Sequence, residues 1–254
     1  MSEEVSYKVV NSIAWLTINR PEARNSLNKA VRDGLFAGIH RFNADDSAKV
    51  LVLTGTGEKA FCAGGDLKEM ADNQLTVPPV DFVPQLGRNI EVSKPTIAAV
   101  NGVALAGGFL LAQTCDLCVA VEGATFAISE VKIGRGSPWA APLSWMIPAR
   151  VAMEMTLTGA PLTAQRAYEI GFVNRVAAPG ELLSTTQELA EQIASNAPLS
   201  VAAGKKTVGL SSELPLSAAF ETAEEIWEPV YLSRDAQEGM RAFREKRRPS
   251  WTGR

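Results

Sequence analysis

The chain has 254 residues, 46% apolar and 21% charged, which is enough to bury one substantial core in an ordinary water-soluble composition. Its 25 Lys and Arg stand against 28 Asp and Glu, and a formal charge of −3 argues against a broad nucleic-acid or anionic-membrane footprint. The acidic start "MSEEVSYKVV" lacks the basic and apolar regions of a secretory signal, and three cysteines (Cys62, Cys115, Cys118) suit a reducing compartment, so a cytoplasmic location is expected.

In chain order, "YKVV" and "IAWLTINR" read as two strands joined by a tight Asn11-Ser12 turn. A helix follows from about Asn28, with Val31, Leu35, Ile39 and Phe42 on one face. The only histidine, His40, falls on the flank of that helix, where it reads as an exposed side chain; a Ser-His-Asp triad is thereby left without a base. "KVLVLTGT" is a continuous apolar strand, the pattern of a strand covered on both faces. Residues 73–84, "NQLTVPPVDFVP", hold three prolines and read as a mobile loop.

The alternation then repeats: a strand at "TIAAV", a helix from Gly107, a strand at "DLCVAV" and a short one at "TFAIS". The apolar window from Thr96 to Ala112 is about as short as a membrane span can be. An Asn-Gly turn and a glycine pair interrupt it, so it reads as a buried strand, a turn and a buried helix. Cys115 and Cys118 form a C-x-x-C spacing with no second Cys/His pair, so no metal site is expected. From Pro161 the pattern is mostly helical. Thr163 caps one short helix, Pro179 opens another, and Pro198 and Pro215 begin two more. This divides the chain into an α/β core over 1–195 and a C-terminal helical region over 196–254.

The chemistry-bearing residues lie where strands run into helices. "TGTGEKAFCAGGD" has glycines after a strand but neither nucleotide-binding spacing. Gly64-Gly65 precede Asp66, a candidate N-cap, and Gly107-Gly108 precede a second helix. Twice, then, free backbone N–H groups are delivered at a helix mouth with no Cβ in the way. Two such donors converging on one oxygen would make an oxyanion hole for an enolate, and two mere tight turns would leave the same spacing.

Five segments together resemble the crotonase superfamily, the enoyl-CoA hydratase/isomerase family: "NRPEARNSL", "AFCAGGDLKEM", "NGVALAGGFLLAQTCDL", "TLTGAPLTAQRAYEIGFVNRV" and "FREKRRPSW". They occur in the family's order from roughly Val5 to the C-terminus. The resemblance implies a spiral of ββα units, with C-terminal helices that assemble trimers, often paired into hexamers. It implies an acyl-CoA thioester substrate, with CoA part of that substrate and no separate cofactor. The oxyanion donors fall on Gly65 and Gly107. Ala23 and Arg24 match a loop along the nucleotide, and Ala63, Asp66 and Leu67 match backbone along the adenine and pantetheine path. Phe243 and Lys246, one helical turn apart in this reading, match positions that reach CoA, often from a neighbouring subunit. Ile226, Trp227, Val230 and Tyr231 supply apolar surface for that assembly.

Two departures bear on mechanism. The family's hydratases carry two glutamates; the first position is Leu110 here, and the second is retained as Glu130. The usual Gly-rich turn after Glu130 is replaced by "RGSPWAAPLSWM", which brings Arg135, Trp139 and Trp145; the tryptophans are candidates for an acyl-pocket wall. The resemblance favours a hydratase-type enzyme. A double-bond isomerase needing one carboxylate, a non-catalytic CoA-ester binder and an RNA-binding offshoot are the other readings, the last opposed by the acidic charge.

Overall fold

The two N-terminal strands, β1 (Val5–Val10) and β2 (Ile13–Ile18), form an antiparallel hairpin. Both loop residues, Asn11 and Ser12, have positive φ, as a two-residue turn matched to strand twist requires. The structure, a computed structural model, describes residues 3–254. Helix α1 (Lys29–Ala44) starts at Asn28, whose side chain accepts the Val31 N–H, and it buries Val31, Leu35, Ile39 and Phe42 as one stripe. His40 is exposed.

Three repeats come next. The first is β3 (Val50–Gly55), β4 (Ala60–Cys62) and α2 (Leu67–Asp72). The second is β5 (Thr96–Val100), β6 (Val103–Leu105) and α3 (Gly107–Thr114). The third is β7 (Leu117–Val121), β8 (Thr125–Ala127) and a 3-10 turn, Ser129–Ile133. With β9 (Leu162–Thr163) and β10 (Arg175–Ala177), the strands form a six-stranded sheet of order β1-β2-β3-β5-β7-β10 and a four-stranded sheet of order β4-β6-β8-β9. In each repeat the first strand joins the large sheet, the second joins the small one, and the chain then turns helical.

The apolar run of β3 has a direct explanation in this architecture. Val50 and Val52 face one cluster with Ile97, Ala99 and Val119, covered by Leu182 and Ala190 of α7 (Leu182–Ala194). Leu51 and Leu53 face the main core, with Ala98, Val100, Cys118 and Phe109. Both faces are covered, so neither carries polar residues.

The remaining helices are α4 (Leu143–Met146), α5 (Ala149–Thr158), α6 (Ala164–Glu169), α8 (Pro198–Glu213), α9 (Leu216–Tyr231) and α10 (Arg234–Arg244). Thr163 caps α6 through the Arg166 N–H, and Pro198 and Pro215 stand at the starts of α8 and α9. Pro179 does not open a helix: Gly180 turns left-handed beside it, and α7 begins at Leu182. The 73–84 segment is irregular as expected, but it is fastened rather than loose. The Arg135 guanidinium donates to the Leu75 carbonyl at 2.9 Å, Arg32 stacks 4.1 Å from the Phe82 ring centre, and Val83 is buried. No helix among the described residues is long and apolar enough to cross a membrane.

Asn25 anchors the loop between β2 and α1. It is wholly buried, donates from Nδ2 to the carbonyls of Thr56 (3.0 Å) and Ala60 (2.8 Å), and accepts the Arg20 N–H at 3.0 Å. Asn25→Ala is expected to cost about 1–3 kcal/mol in urea unfolding, because buried backbone groups lose their partners. An unchanged unfolding midpoint would contradict this.

Candidate active site

Strands β4, β6 and β8 pair in parallel, with Cys62 opposite Ala104 and Leu105 opposite Ala127. Their C-terminal ends therefore lie side by side. The segment leaving each strand emerges at that same edge: Gly64-Gly65 after β4, Ala106-Gly107 after β6, and Ser129-Glu130 after β8. The repeat brings the three sequence-predicted centres together.

The first two turns touch. Gly64 has φ +92°, and a Cβ there would stand 2.8 Å from Ala106 Cβ and 3.4 Å from Gly107 N. A Cβ on Gly107 would stand 3.9 Å from Gly65 N. Ala106 holds φ 50° and ψ −120°, a conformation that costs a non-glycine residue and is fixed here by its N–H bond to the Ala127 carbonyl at 2.9 Å. Leu27 bonds past Gly65, donating to Gly64 O at 2.8 Å and accepting from Asp66 N at 3.4 Å. The Gly65 and Gly107 N–H groups have no acceptor among the described residues. Gly107 is the first residue of α3, where amides have no partner within the helix. Gly108 has a different duty: a Cβ there would collide with the Cys62 carbonyl oxygen, so α3 can approach β4 only with glycine at this position.

Glu130 lies in the third turn and is 8% exposed. The Trp139 indole N–H donates to its Oε1 at 2.8 Å, while its Oε2 is buried with no hydrogen-bond partner. Burial pushes the Glu130 carboxyl above the ordinary carboxylate range, against the lowering effect of its backbone and Trp139 hydrogen bonds. The adjacent Val131 and Ile133 are exposed, so the apolar surroundings come from elsewhere. Trp139 sits edge-on to Phe109 of α3, with ring centres 5.6 Å apart, and Phe109 packs in turn on Phe126 and Phe172. Gln113 of α3 donates to the Trp139 carbonyl at 2.9 Å, leaving its own Oε1 buried and unpartnered. No sequence pattern signals the Glu130–Trp139 bond, which joins two separate 3-10 turns.

Leu110 lies on α3 and is 4% exposed, an apolar side chain in the core. Ala23 and Arg24 close a 3-10 turn after β2; Arg24 is exposed, and its carbonyl accepts the Ala63 N–H at 3.0 Å. Asp66 caps α2 by accepting the Lys68 and Glu69 N–H groups. A 2.6 Å bond from Arg20 holds its carboxyl below the usual range. Leu67 beside it is exposed. Two ion-pair partners that sequence reasoning did not single out, Arg32 and Glu69 (2.9 Å), tie α1 to α2.

One expectation needs correction. Trp145 is 70% exposed, so of the two tryptophans only Trp139 packs by Glu130. Lys246 stands one turn on from Phe243 but outside α10, as the left-handed residue (φ 52°) whose N–H closes the helix end on the Phe243 carbonyl at 3.2 Å. Phe243 is 88% exposed, and neither residue makes a side-chain hydrogen bond or ion pair among the described residues. Two clefts of about 420 and 570 Å³ lie by the C-terminal helices, one along Lys94, Asn196 and Trp251 and one along Asp235 and Arg247, rather than at the paired glycines. The glycine amides are the better guide, because free, neighbouring donors and a buried carboxylate carry chemistry that an apolar or open cleft alone does not.

The chain is matched over residues 8–254 by the enoyl-CoA hydratase/isomerase family model. It is 36% identical to an (E)-benzylidenesuccinyl-CoA hydratase from Thauera aromatica, covering 98% of this chain and 99% of that protein. It is likewise 36% identical to a carnitinyl-CoA dehydratase from Salmonella typhi, over the whole of both. Among solved structures, an enoyl-CoA hydratase from Mycobacterium marinum superposes with a TM-score of 0.90 at 42% identity, over 99% of each chain. Both the repeat architecture and the full-length match lead to one assignment: the chain belongs to the enoyl-CoA hydratase/isomerase family, with its crotonase fold.

Proposed function

We propose that this protein is an acyl-CoA enzyme of hydratase type that stabilises a thioester enolate between the Gly65 and Gly107 amides, with Glu130 as the single catalytic carboxylate. The observation that carries the reading is the pairing of two adjacent, acceptor-free amides with a buried carboxyl that keeps one oxygen unpartnered. Donors aimed at developing negative charge stabilise the transition state more than the ground state. Glu130 takes a proton from water as the water oxygen bonds to Cβ of a 2-enoyl thioester. The π electrons move into the enolate held by the two amides, and the proton returns at Cα. Ala23, Arg24, Ala63, Asp66 and Leu67 hold CoA on one side, with Phe243 and Lys246 reaching it from a neighbouring subunit.

Leu110 favours a second reading. Water is best oriented by two groups, whereas moving a double bond needs one base that carries a proton between carbons. Incubation with 2-enoyl-CoA and 3-enoyl-CoA panels in D2O, read by mass, separates the two: hydration adds the mass of water and isomerisation does not. Saturable CoA-ester binding with no product from either panel would instead support the non-catalytic binder. Leu110→Glu is expected to raise hydration severalfold by supplying a second water ligand, while lowering Tm because a carboxylate enters a buried site. No gain in hydration by a folded Leu110→Glu protein would count against the two-group argument.

Assembly into a trimer or hexamer is part of the proposal. Helix α9 buries none of its residues fully, and Leu216, Phe220 and Tyr231 on it are exposed, as are Met240 and Phe243 on α10. Light scattering should report three or six chains at micromolar concentration; a monomer there would contradict it.

A further inference from the structure

We infer that Trp139 is a positioning residue that reserves Oε2 of Glu130 for the substrate, by occupying Oε1 with its indole N–H at 2.8 Å. The inference deepens the proposed function and rests on Glu130 acting as the base. An indole N–H donates and cannot accept. While that bond stands, the acid proton of a neutral Glu130 is disfavoured on Oε1, because a carbonyl oxygen accepts the indole N–H better than a hydroxyl oxygen does. Oε2, the oxygen with no protein partner, is therefore the favoured seat of the proton. When a Cα–H bond of the substrate breaks, its electron pair enters the thioester enolate and its proton joins Oε2. Return takes the same path, so one oxygen both takes the proton and gives it back.

Trp139 is itself held from α3. Gln113 donates to its carbonyl at 2.9 Å, and Phe109 meets its ring edge-on. The same helix presents the Gly107 amide at its first residue. The oxyanion donor and the aim of the carboxylate are thus set from a single rigid element, as a preorganised site requires. Among the described residues, no charge supplies an alternative hold on Glu130. Helix α3 carries none, Arg150 and Glu154 on α5 are exposed, the Lys132 stem lies against Gly159, and the Arg135 guanidinium is on Leu75.

The test is deuterium entry at Cα of butyryl-CoA in D2O, tracked by mass across a pH series with the full-length protein. Two variants remove the donor: Trp139→Phe, and replacement of Trp139 by benzothienylalanine, which keeps the ring shape and exchanges N–H for sulfur. The second decides the matter if the first does not fold. Loss of the hydrogen bond to the charged form should move the acid limb of exchange up by about one pH unit and slow exchange about tenfold below it. KM for butyryl-CoA should stay within about twofold, since the bond does not touch CoA. A purely structural role would lower the rate equally at all pH values or raise KM, and either result, or a profile that overlays the wild type, overturns the inference. If Glu130→Gln exchanges as fast as the wild type, or the wild type exchanges nothing, it is the base reading that fails, before any Trp139 variant is compared.

Discussion

Glu130→Gln is expected to lower turnover by about 10²–10⁴-fold, the usual worth of a positioned general base. KM for the CoA ester should barely move, because the proposed CoA contacts lie on other segments. The amide is a close isostere: its Oε1 can still accept the Trp139 N–H, so the 2.8 Å contact and its packing survive while the ionisable group is lost. In the wild type, burial raises the carboxyl, so activity that needs the ionised form should fall as pH drops through a value above the ordinary carboxylate range. The same shift has a stability sign. Between the ordinary value and the raised one, the folded chain binds more protons at this site than the unfolded chain. Stability is therefore lost as pH rises through that window and stays lost at neutral pH. Gln cannot ionise, so the variant should melt above the wild type near pH 7 and level with it in acid. Near-full activity in a folded Glu130→Gln protein would show that the reacting group is elsewhere.

Gly107→Pro should cost about 2.7–4 kcal/mol of transition-state stabilisation, a fall of roughly 10²–10³ in kcat, by deleting one proposed oxyanion donor. Proline is tolerated at the first position of a helix, which is where Gly107 stands. A side chain there meets Leu27 Cδ1 at 2.9 Å, a tip that can swing aside. Gly107→Ala is the control, since it meets the same Leu27 methyl but keeps its N–H. Its kcat should stay within about tenfold of the wild type, against the roughly 10²–10³ loss for proline. If the two folded variants turn over alike, the Gly107 amide does not hold the oxygen.

The sequence was most legible where a single residue-level pattern had one structural solution. The Asn11-Ser12 turn, the stripe of α1 and the unbroken apolar β3 each arise from local geometry, and each appears at the expected place. The two- and three-residue strands β4, β6, β9 and β10 are too short to show any period, and they exist because a neighbouring strand supplies the ladder. The glycine pairs were readable as exposed amides, but not as touching each other, since that depends on the parallel pairing of β4 and β6. The spacing of Lys246 from Phe243 was legible, but not that the helix stops between them, where the backbone turns left-handed and caps α10. The Glu130–Trp139 bond had no sequence signal, as nothing in "EVKIGRGSPW" fixes how two short turns fold back on each other.

The parallel ladder between β6 and β8 has a further consequence. It places Leu105 opposite Ala127, and Ala106 is bonded to Ala127 directly, so the offset between Gly107 and Glu130 is written in main-chain hydrogen bonds. The stretch from Gly134 to Met146, by contrast, is built of short turns broken by Pro138 and Pro142, and one indole is its tie to the Glu130 carboxyl. Side chains along that stretch other than Trp139 can therefore be exchanged without re-spacing Gly107 and Glu130. On the proposed function, the spacing of the oxyanion donor and the base is thus fixed by the ladder, while the neighbouring turns are free to vary around Trp139.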